Sequence, residues 1–157
     1  MKKKITIISM ITIVIIITIT IILFNTNKKI EKFYLDNSFY NKGEYIEINN
    51  NDLDKYKKKS YILFTYNNYC NFSKPCEKVF KEYMNKYKID FLSIKFEYFK
   101  KTKLYKKIKY APSVIIVNNG KIIDYLDSNK NEDLTKYQEV NDFEQWINNY
   151  IYPNKDI

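Results

Sequence analysis

Residues 61–76 read YILFTYNNYCNFSKPC and contain both cysteines of the chain, Cys70 and Cys76. The apolar run from Tyr61 to Thr65 is typical of a strand that is buried on both faces. A helical pattern begins near Pro75, so the two cysteines lie where a strand passes into a helix. Backbone N–H groups and the helix dipole stabilise a thiolate at a helix N-terminus, which makes it a competent nucleophile. This segment therefore predicts thiol chemistry.

The composition excludes several other classes of function. The net charge of +9 comes from 27 lysines with no arginine, and the chain has no histidine. Nucleic-acid binding is not expected, because proteins that read bases and phosphates favour the bidentate arginine side chain. The absence of histidine removes the commonest transition-metal ligand and the usual partner of a hydrolase nucleophile. We therefore expect neither a metal site nor a cofactor.

The N-terminal region is typical of a membrane anchor. Residues 5–24 are apolar or small and uncharged, and they are long enough to span a bilayer as a helix. Residues 1–4 then form a short cytoplasmic tail, and the rest of the chain lies outside the cytoplasm. No small-x-small cleavage pattern follows Leu23, so we expect an uncleaved single-pass anchor.

The rest of the 157-residue chain has room for one globular domain. We expect a tether over 25–43, a domain over 44–152 and a C-terminal tail over 153–157. The predicted elements of the domain are a strand over 45–48, a helix over 53–59, a strand over 61–65, a helix over 76–87, a strand over 89–96, a short surface helix within 99–109, strands over 112–117 and 122–126, a loop over 127–139 and a helix over 140–150.

Three local patterns together resemble the thioredoxin-like superfamily. They are the strand that runs into Tyr69-Cys70, the segment Ile108-Lys109-Tyr110-Ala111-Pro112-Ser113, and the hairpin Val114 to Ile122 around Asn119-Gly120. The likeness covers roughly residues 44–152. It implies an α/β fold in which a central mixed sheet is flanked by helices, here with a transmembrane helix before it. It also implies that Ala111-Pro112 is a cis peptide packed against the active cysteine.

The cysteine spacing departs from the family pattern. These proteins usually carry Cys-x-x-Cys, whereas here Ser73 stands where the second cysteine is expected and Cys76 comes one turn later. A rival alignment places Lys74-Pro75-Cys76 on the family's Gly-Pro-Cys and treats residues 71–73 as an insertion. Both alignments stay open at this level. In either one Cys70 is the expected nucleophile, Cys76 its candidate partner, and Ser73, Pro75, Ala111 and Pro112 supporting residues.

A second departure concerns the carboxylate that cytoplasmic thioredoxins bury six positions before the nucleophile. That position is Phe64 in this chain, which makes a reducing activity of the thioredoxin kind less expected.

These features predict a membrane-anchored extracytoplasmic thiol-disulfide oxidoreductase, similar to thioredoxin-like proteins of low-GC Gram-positive bacteria. Its partners would be protein thiols or disulfides, the membrane, and a protein that recycles the site. Two alternatives stay open. One is a redox-inactive thioredoxin-like module that serves an export system, and the other is a monothiol, glutaredoxin-like enzyme that uses Cys70 alone.

Overall fold

The computed structural model describes residues 31–67 and 75–154. Its regular elements are β1 (Tyr45–Ile48), β2 (Tyr61–Tyr66), α1 (Cys76–Tyr87), β3 (Phe91–Lys95), α2 (Phe96–Phe99), β4 (Ser113–Asn118), β5 (Lys121–Tyr125) and α3 (Val140–Ile147). The described residues also form four 3₁₀ helices, one before β1 at Asn37–Phe39 and three between later elements, at Asp52–Tyr56, Lys103–Lys106 and Asn131–Tyr137.

The strands form one mixed sheet in the order β1-β3-β2-β4-β5. β1 and β2 both pair with β3 in parallel, whereas β4 is antiparallel to β2 and to β5. β2 is central, and its first five residues are all buried, as its continuous apolar run predicted. Asn119 and Gly120 have positive φ angles of 48° and 74°, which confirms the turn predicted between β4 and β5.

A cluster of aromatic rings joins α1 and α3 to the sheet. Phe80 of α1 lies 4.6 Å from Phe143 of α3 and 5.3 Å from Phe64 of β2, measured between ring centroids. Tyr83, one turn further along α1, meets Phe143 edge to face at 5.4 Å. These rings are at most 2 % exposed, so both helices pack on the sheet through one continuous apolar layer.

The described part of the predicted tether, residues 31–43, belongs to the domain. Leu35 and Phe39 are 2 % and 1 % exposed and are part of the core. Phe33 forms a parallel bridge with Ile151 near the C-terminal end of the domain. The apolar residues here follow neither a helical nor a strand period, which is why the sequence pattern did not reveal their packing.

Asp90 holds the backbone of residues 42–44, just before β1, through hydrogen bonds. Its buried carboxylate accepts hydrogen bonds from the backbone N–H groups of Gly43 at 2.8 Å and Glu44 at 2.7 Å, and from Lys42 at 3.2 Å. Gly43 has a φ of 79°, and a Cβ atom there would lie 2.4 Å from the carbonyl oxygen of Met84. Glycine is therefore required at this turn.

Three other predicted elements differ in kind from those observed. The helix predicted over 53–59 is the 3₁₀ helix Asp52–Tyr56, and the surface helix predicted within 99–109 is replaced by α2 and the 3₁₀ helix Lys103–Lys106. Ile108 follows that turn and is 1 % exposed, so it is a core residue. The loop predicted over 127–139 contains the 3₁₀ helix Asn131–Tyr137, whose buried side chains are Asp133 and Tyr137.

The predicted cytoplasmic tail over 1–4 and anchor over 5–24 lie outside the described residues, as do residues 155–157 of the predicted C-terminal tail. Within 31–67 and 75–154, no helix combines the length and the hydropathy that a bilayer crossing needs.

Candidate functional site

The candidate site is a cavity of about 270 Å³ at the C-terminal end of β2. The ends of three elements meet here, because β2 ends at Tyr66, α1 begins at Cys76, and Ser113 at the start of β4 pairs with Thr65. The described residues that line the cavity are Phe64, Tyr66, Asn67, Pro75, Cys76, Glu77 and Pro112.

Cys76 lies in the wall of this cavity as the first residue of α1. It is only 2 % exposed and belongs to the hydrophobic core. Pro75, immediately before it, is extended with φ −61° and ψ 115°, so α1 does not continue backwards through Pro75. Cys76 therefore lies at the N-terminal, positive end of the helix dipole.

Pro112 also lines the cavity, one residue before β4. The Ala111–Pro112 peptide bond is cis, which is the geometry implied by the resemblance. Two hydrogen bonds hold this segment: the Ser113 hydroxyl donates to the carbonyl oxygen of Tyr110 at 2.8 Å, and the Tyr137 hydroxyl donates to that of Pro112 at 2.9 Å. The segment is thus fixed both from within and from the 3₁₀ helix after β5.

Phe64 provides the floor of the cavity where cytoplasmic thioredoxins are expected to carry a buried carboxylate. Its ring is 2 % exposed and packs against Phe80 and Tyr66 at 5.3 and 5.7 Å between centroids. Glu77 is the only carboxylate among the described lining residues, and it is exposed. Among the described lining residues, Phe64 is therefore an apolar group and none provides a buried carboxylate.

Two tyrosines at or beside the cavity keep their hydroxyl protons at physiological pH: Tyr66 lines the cavity, and the Tyr45 hydroxyl donates to the Glu77 carbonyl at 3.3 Å. Burial, followed by a hydrogen bond to Glu47, raises the pKa of Tyr66 to about 12. Burial raises the pKa of Tyr45 further, with smaller contributions from the charges of Glu77 and Cys76. Around the cavity these phenols act as neutral hydrogen-bonding groups rather than as bases.

The structure brings together the site residues predicted on both sides of the cavity. Cys76 and Pro75 lie on the helix side, and Pro112 with Ala111 before it lies on the strand side. Cys70 and Ser73 lie outside the described residues, within the segment 68–74. Among the residues that the structure does describe, no group of three or more acidic or cysteine side chains could hold a metal ion.

Sequence reasoning missed Tyr137 as a residue of the site. It lies in the segment predicted to be a loop, yet its side chain is fully buried. Its ring meets Phe80 edge to face at 5.9 Å, and its hydroxyl reaches Pro112. The only signal was a large aromatic residue in an otherwise polar segment, which the many tyrosines of this chain made uninformative.

Comparisons with known proteins bear on the fold. No protein-family model matches the chain, and no curated protein matches it. One solved structure, described as a candidate oxidoreductase with a thioredoxin fold, is 14 % identical with a TM-score of 0.50, over 64 % of this chain and 91 % of that one. Thioredoxin from Schistosoma mansoni is 20 % identical with a TM-score of 0.48, over 69 % and 97 % of the two chains. Spinach chloroplast thioredoxin f is 18 % identical with a TM-score of 0.44, over 60 % and 83 %.

The first of these likenesses confirms the predicted thioredoxin-like fold. At such low identity it concerns the fold alone, so the activity has to be argued from the site.

Proposed function

We propose that the protein is a membrane-anchored thiol-disulfide oxidoreductase whose domain lies outside the cytoplasm. Cys70 would be the attacking thiol and Cys76 the resolving thiol. The observation that carries the proposal is the position of Cys76, which is buried at the start of α1 and shares a cavity with Pro112. The solved structure described as an oxidoreductase with a thioredoxin fold shares this fold, which adds support but does not assign the activity.

The proposed reaction is an exchange of two electrons through a mixed disulfide. The Cys70 thiolate attacks one sulfur of a partner's disulfide, which forms a new S–S bond and releases the partner's other sulfur as a thiolate. The Cys76 thiolate then attacks the Cys70 sulfur, which closes the Cys70–Cys76 disulfide and releases the second partner sulfur. The partner is reduced and the protein is oxidised, and the reverse sequence oxidises a partner dithiol.

The start of α1 is compatible with pairing of the two cysteines. A regular helix over 70–76 would separate their Cα atoms by about 9 Å, at about 1.5 Å per residue, which is too far for a disulfide. Because Pro75 is extended and α1 begins at Cys76, that arrangement does not apply. A turn between Cys70 and Cys76, six positions apart, can then bring their Cα atoms closer than a helix would.

Two further features define the partners that we propose. The cavity opens between the end of β2 and the segment before β4, where a polypeptide can lie in an extended conformation beside Pro112. A second redox protein would restore the dithiol or the disulfide after each turnover. The uncharged apolar segment 5–24 would hold the domain at the membrane, on the side where disulfides persist.

A redox titration tests the pairing. The full-length protein, purified in detergent, would be equilibrated with glutathione at different ratios, alkylated and weighed by mass spectrometry. We expect Cys70 and Cys76 to become protected together, in one two-electron transition. A midpoint near about −270 mV would indicate a reductant, and one near about −120 mV an oxidant.

The result that contradicts the pairing is a different pattern of protection. If Cys70 takes up glutathione while Cys76 stays reduced at every ratio, the monothiol alternative is favoured. If neither cysteine is oxidised, the redox-inactive binding module is favoured. The Cys76→Ser variant is the control, since it should take up a single glutathione.

A further inference from the structure

One side chain of the 13-residue segment 127–139, which lies between β5 and α3, contacts Pro112 in the lining of the proposed redox cavity. Tyr137 is fully buried at the end of this segment, and its hydroxyl donates a 2.9 Å hydrogen bond to the Pro112 carbonyl. Its ring also packs edge to face on Phe80, at 5.9 Å between centroids. Phe80 lies one helical turn after Cys76 on α1. Tyr137 therefore links Pro112, which lines the cavity, to α1 through Phe80.

Hydrogen bonds to the buried carboxylate of Asp133 hold the segment that carries Tyr137. Asp133 is 7 % exposed, and its carboxylate accepts hydrogen bonds from the backbone N–H of Asp127 at 3.0 Å and from Lys136 Nζ at 2.7 Å. The Asp133 N–H donates to the carbonyl of Lys130 at 3.0 Å. A polar segment with few apolar residues is thus closed around one buried carboxylate, which gives Tyr137 a defined position.

The hydroxyl of Tyr137 keeps its proton over the range in which thiols titrate. Burial raises the pKa of Tyr137 well above its ordinary value, and the charges of Asp133 and Cys76 raise it further. The hydroxyl is therefore available as a hydrogen-bond donor to Pro112 over this pH range.

We propose that Tyr137 is a positioning residue of the redox site, which holds the Pro112 wall at a fixed distance from the cysteine-bearing end of α1. This inference rests on the proposed function. Through the Pro112 carbonyl it fixes the backbone of Ala111 and Pro112, beside which an extended protein partner would lie. It leaves the sulfur chemistry itself to the two cysteines. Loss of the Tyr137 hydroxyl should therefore slow the reaction with protein disulfides more than the reaction with a small disulfide.

The test compares Tyr137→Phe with Tyr83→Phe in the full-length protein. Both tyrosines are fully buried on the helix side of the sheet, and each donates one hydrogen bond of 2.9 Å, that of Tyr83 going to Asn148. Tyr83 lies seven residues after Cys76 on α1, which is about 10 Å along the helix axis. Each variant loses one hydroxyl without loss of ring packing, and the two melting temperatures should fall by similar amounts.

We expect Tyr137→Phe to lower kcat/KM for the reduction of insulin about tenfold, mainly through KM, with dithiothreitol as electron donor. Its reaction with the small aromatic disulfide DTNB should stay within about twofold of the unmodified protein, since that reagent does not need the Pro112 wall. Tyr83→Phe should leave both rates nearly unchanged. A general loss of stability would not produce this split between the two substrates.

The outcomes separate this inference from the function on which it rests. If the unmodified protein reacts with neither insulin nor DTNB, the proposed function fails. If it reacts with both and Tyr137→Phe behaves like Tyr83→Phe, this inference alone is overturned. If Tyr137→Phe does not accumulate as a folded protein, Asp133→Asn provides the test. It keeps Tyr137 but weakens the closure of its segment, so a smaller loss with insulin alone supports the inference, and no loss overturns it.

Discussion

Replacing Cys70 by serine is expected to reduce insulin reduction by the full-length protein to the rate of dithiothreitol alone. A hydroxyl of serine cannot form the mixed disulfide through which both electrons pass, so the first step of the exchange is lost rather than slowed. The measurement is the turbidity of reduced insulin over time, at equal protein concentrations. This is the largest effect that we expect from any single substitution in the chain.

Cys76→Ala is the matched variant at the other sulfur. With Cys76 as the resolving thiol, turnover should fall strongly, because the mixed disulfide is released only when an external thiol attacks it. Full activity of Cys76→Ala would instead identify a monothiol enzyme. Full activity of Cys70→Ser would contradict the role of Cys70 and place the chemistry at Cys76.

Replacing Phe143 by alanine is expected to lower the free energy of unfolding by about 3–5 kcal/mol. Its ring is fully buried, and its centroid lies 4.6 Å from Phe80, 5.4 Å from Tyr83 and 5.8 Å from Trp146. Truncation removes the ring that joins α3 to α1 and leaves a cavity that these rigid neighbours fill poorly. Such a loss is a large part of the about 5–15 kcal/mol that stabilises an ordinary domain. Urea unfolding followed by circular dichroism measures it.

The control for Phe143→Ala is an equally large truncation on the surface. Tyr110 is 48 % exposed, and its backbone carbonyl, which holds the Ser113 hydroxyl, is unaffected by a change of side chain. Tyr110→Ala should change the free energy of unfolding by no more than about 0.5 kcal/mol. A loss below about 1 kcal/mol for Phe143→Ala would show that the helices do not depend on this aromatic cluster.

The parts of the fold that sequence predicted are those with a clear period. The apolar run of β2 and the three- and four-residue spacing of α1 each admit one interpretation, and the Asn119-Gly120 pair fixes the hairpin between β4 and β5. Elements without a period were misread. Phe39 and Tyr137 are buried by tertiary contacts from irregular segments, and no local pattern distinguishes them from exposed aromatic residues.

The site was predictable to a similar extent. Two cysteines at a strand-to-helix junction indicate thiol chemistry by residue type. The resemblance implied a cis Ala111-Pro112 peptide packed against the active cysteine, and the structure shows the cis bond, with Pro112 and Cys76 lining one cavity. Tyr137 could not be predicted, because its position depends on how the mostly polar segment 127–139 folds back around Asp133. It also depends on contacts with Pro112 and Phe80, which are distant in sequence.

The presence of Phe64 in place of a carboxylate distinguishes this site from that expected of a cytoplasmic thioredoxin. A buried carboxylate could accept the proton of the resolving thiol, whereas a phenylalanine ring cannot. Resolution by Cys76 would then depend on the helix terminus and on solvent for the loss of its proton. Under the proposed function, we expect the exchange to have a different pH dependence from that of an enzyme with a carboxylate at this position.

In the proposed mechanism, Cys70 attacks a partner disulfide and Cys76 resolves the mixed disulfide. Trapping that mixed disulfide is the decisive test. The full-length Cys76→Ser variant would be incubated with a disulfide-containing protein, separated without reductant and mapped by mass spectrometry after proteolysis. We predict a covalent adduct joined through Cys70, which dithiothreitol releases, and no adduct with the Cys70→Ser/Cys76→Ser double variant. If the Cys76→Ser variant is folded and forms no adduct, the proposed role of Cys70 in a thiol-disulfide oxidoreductase is contradicted.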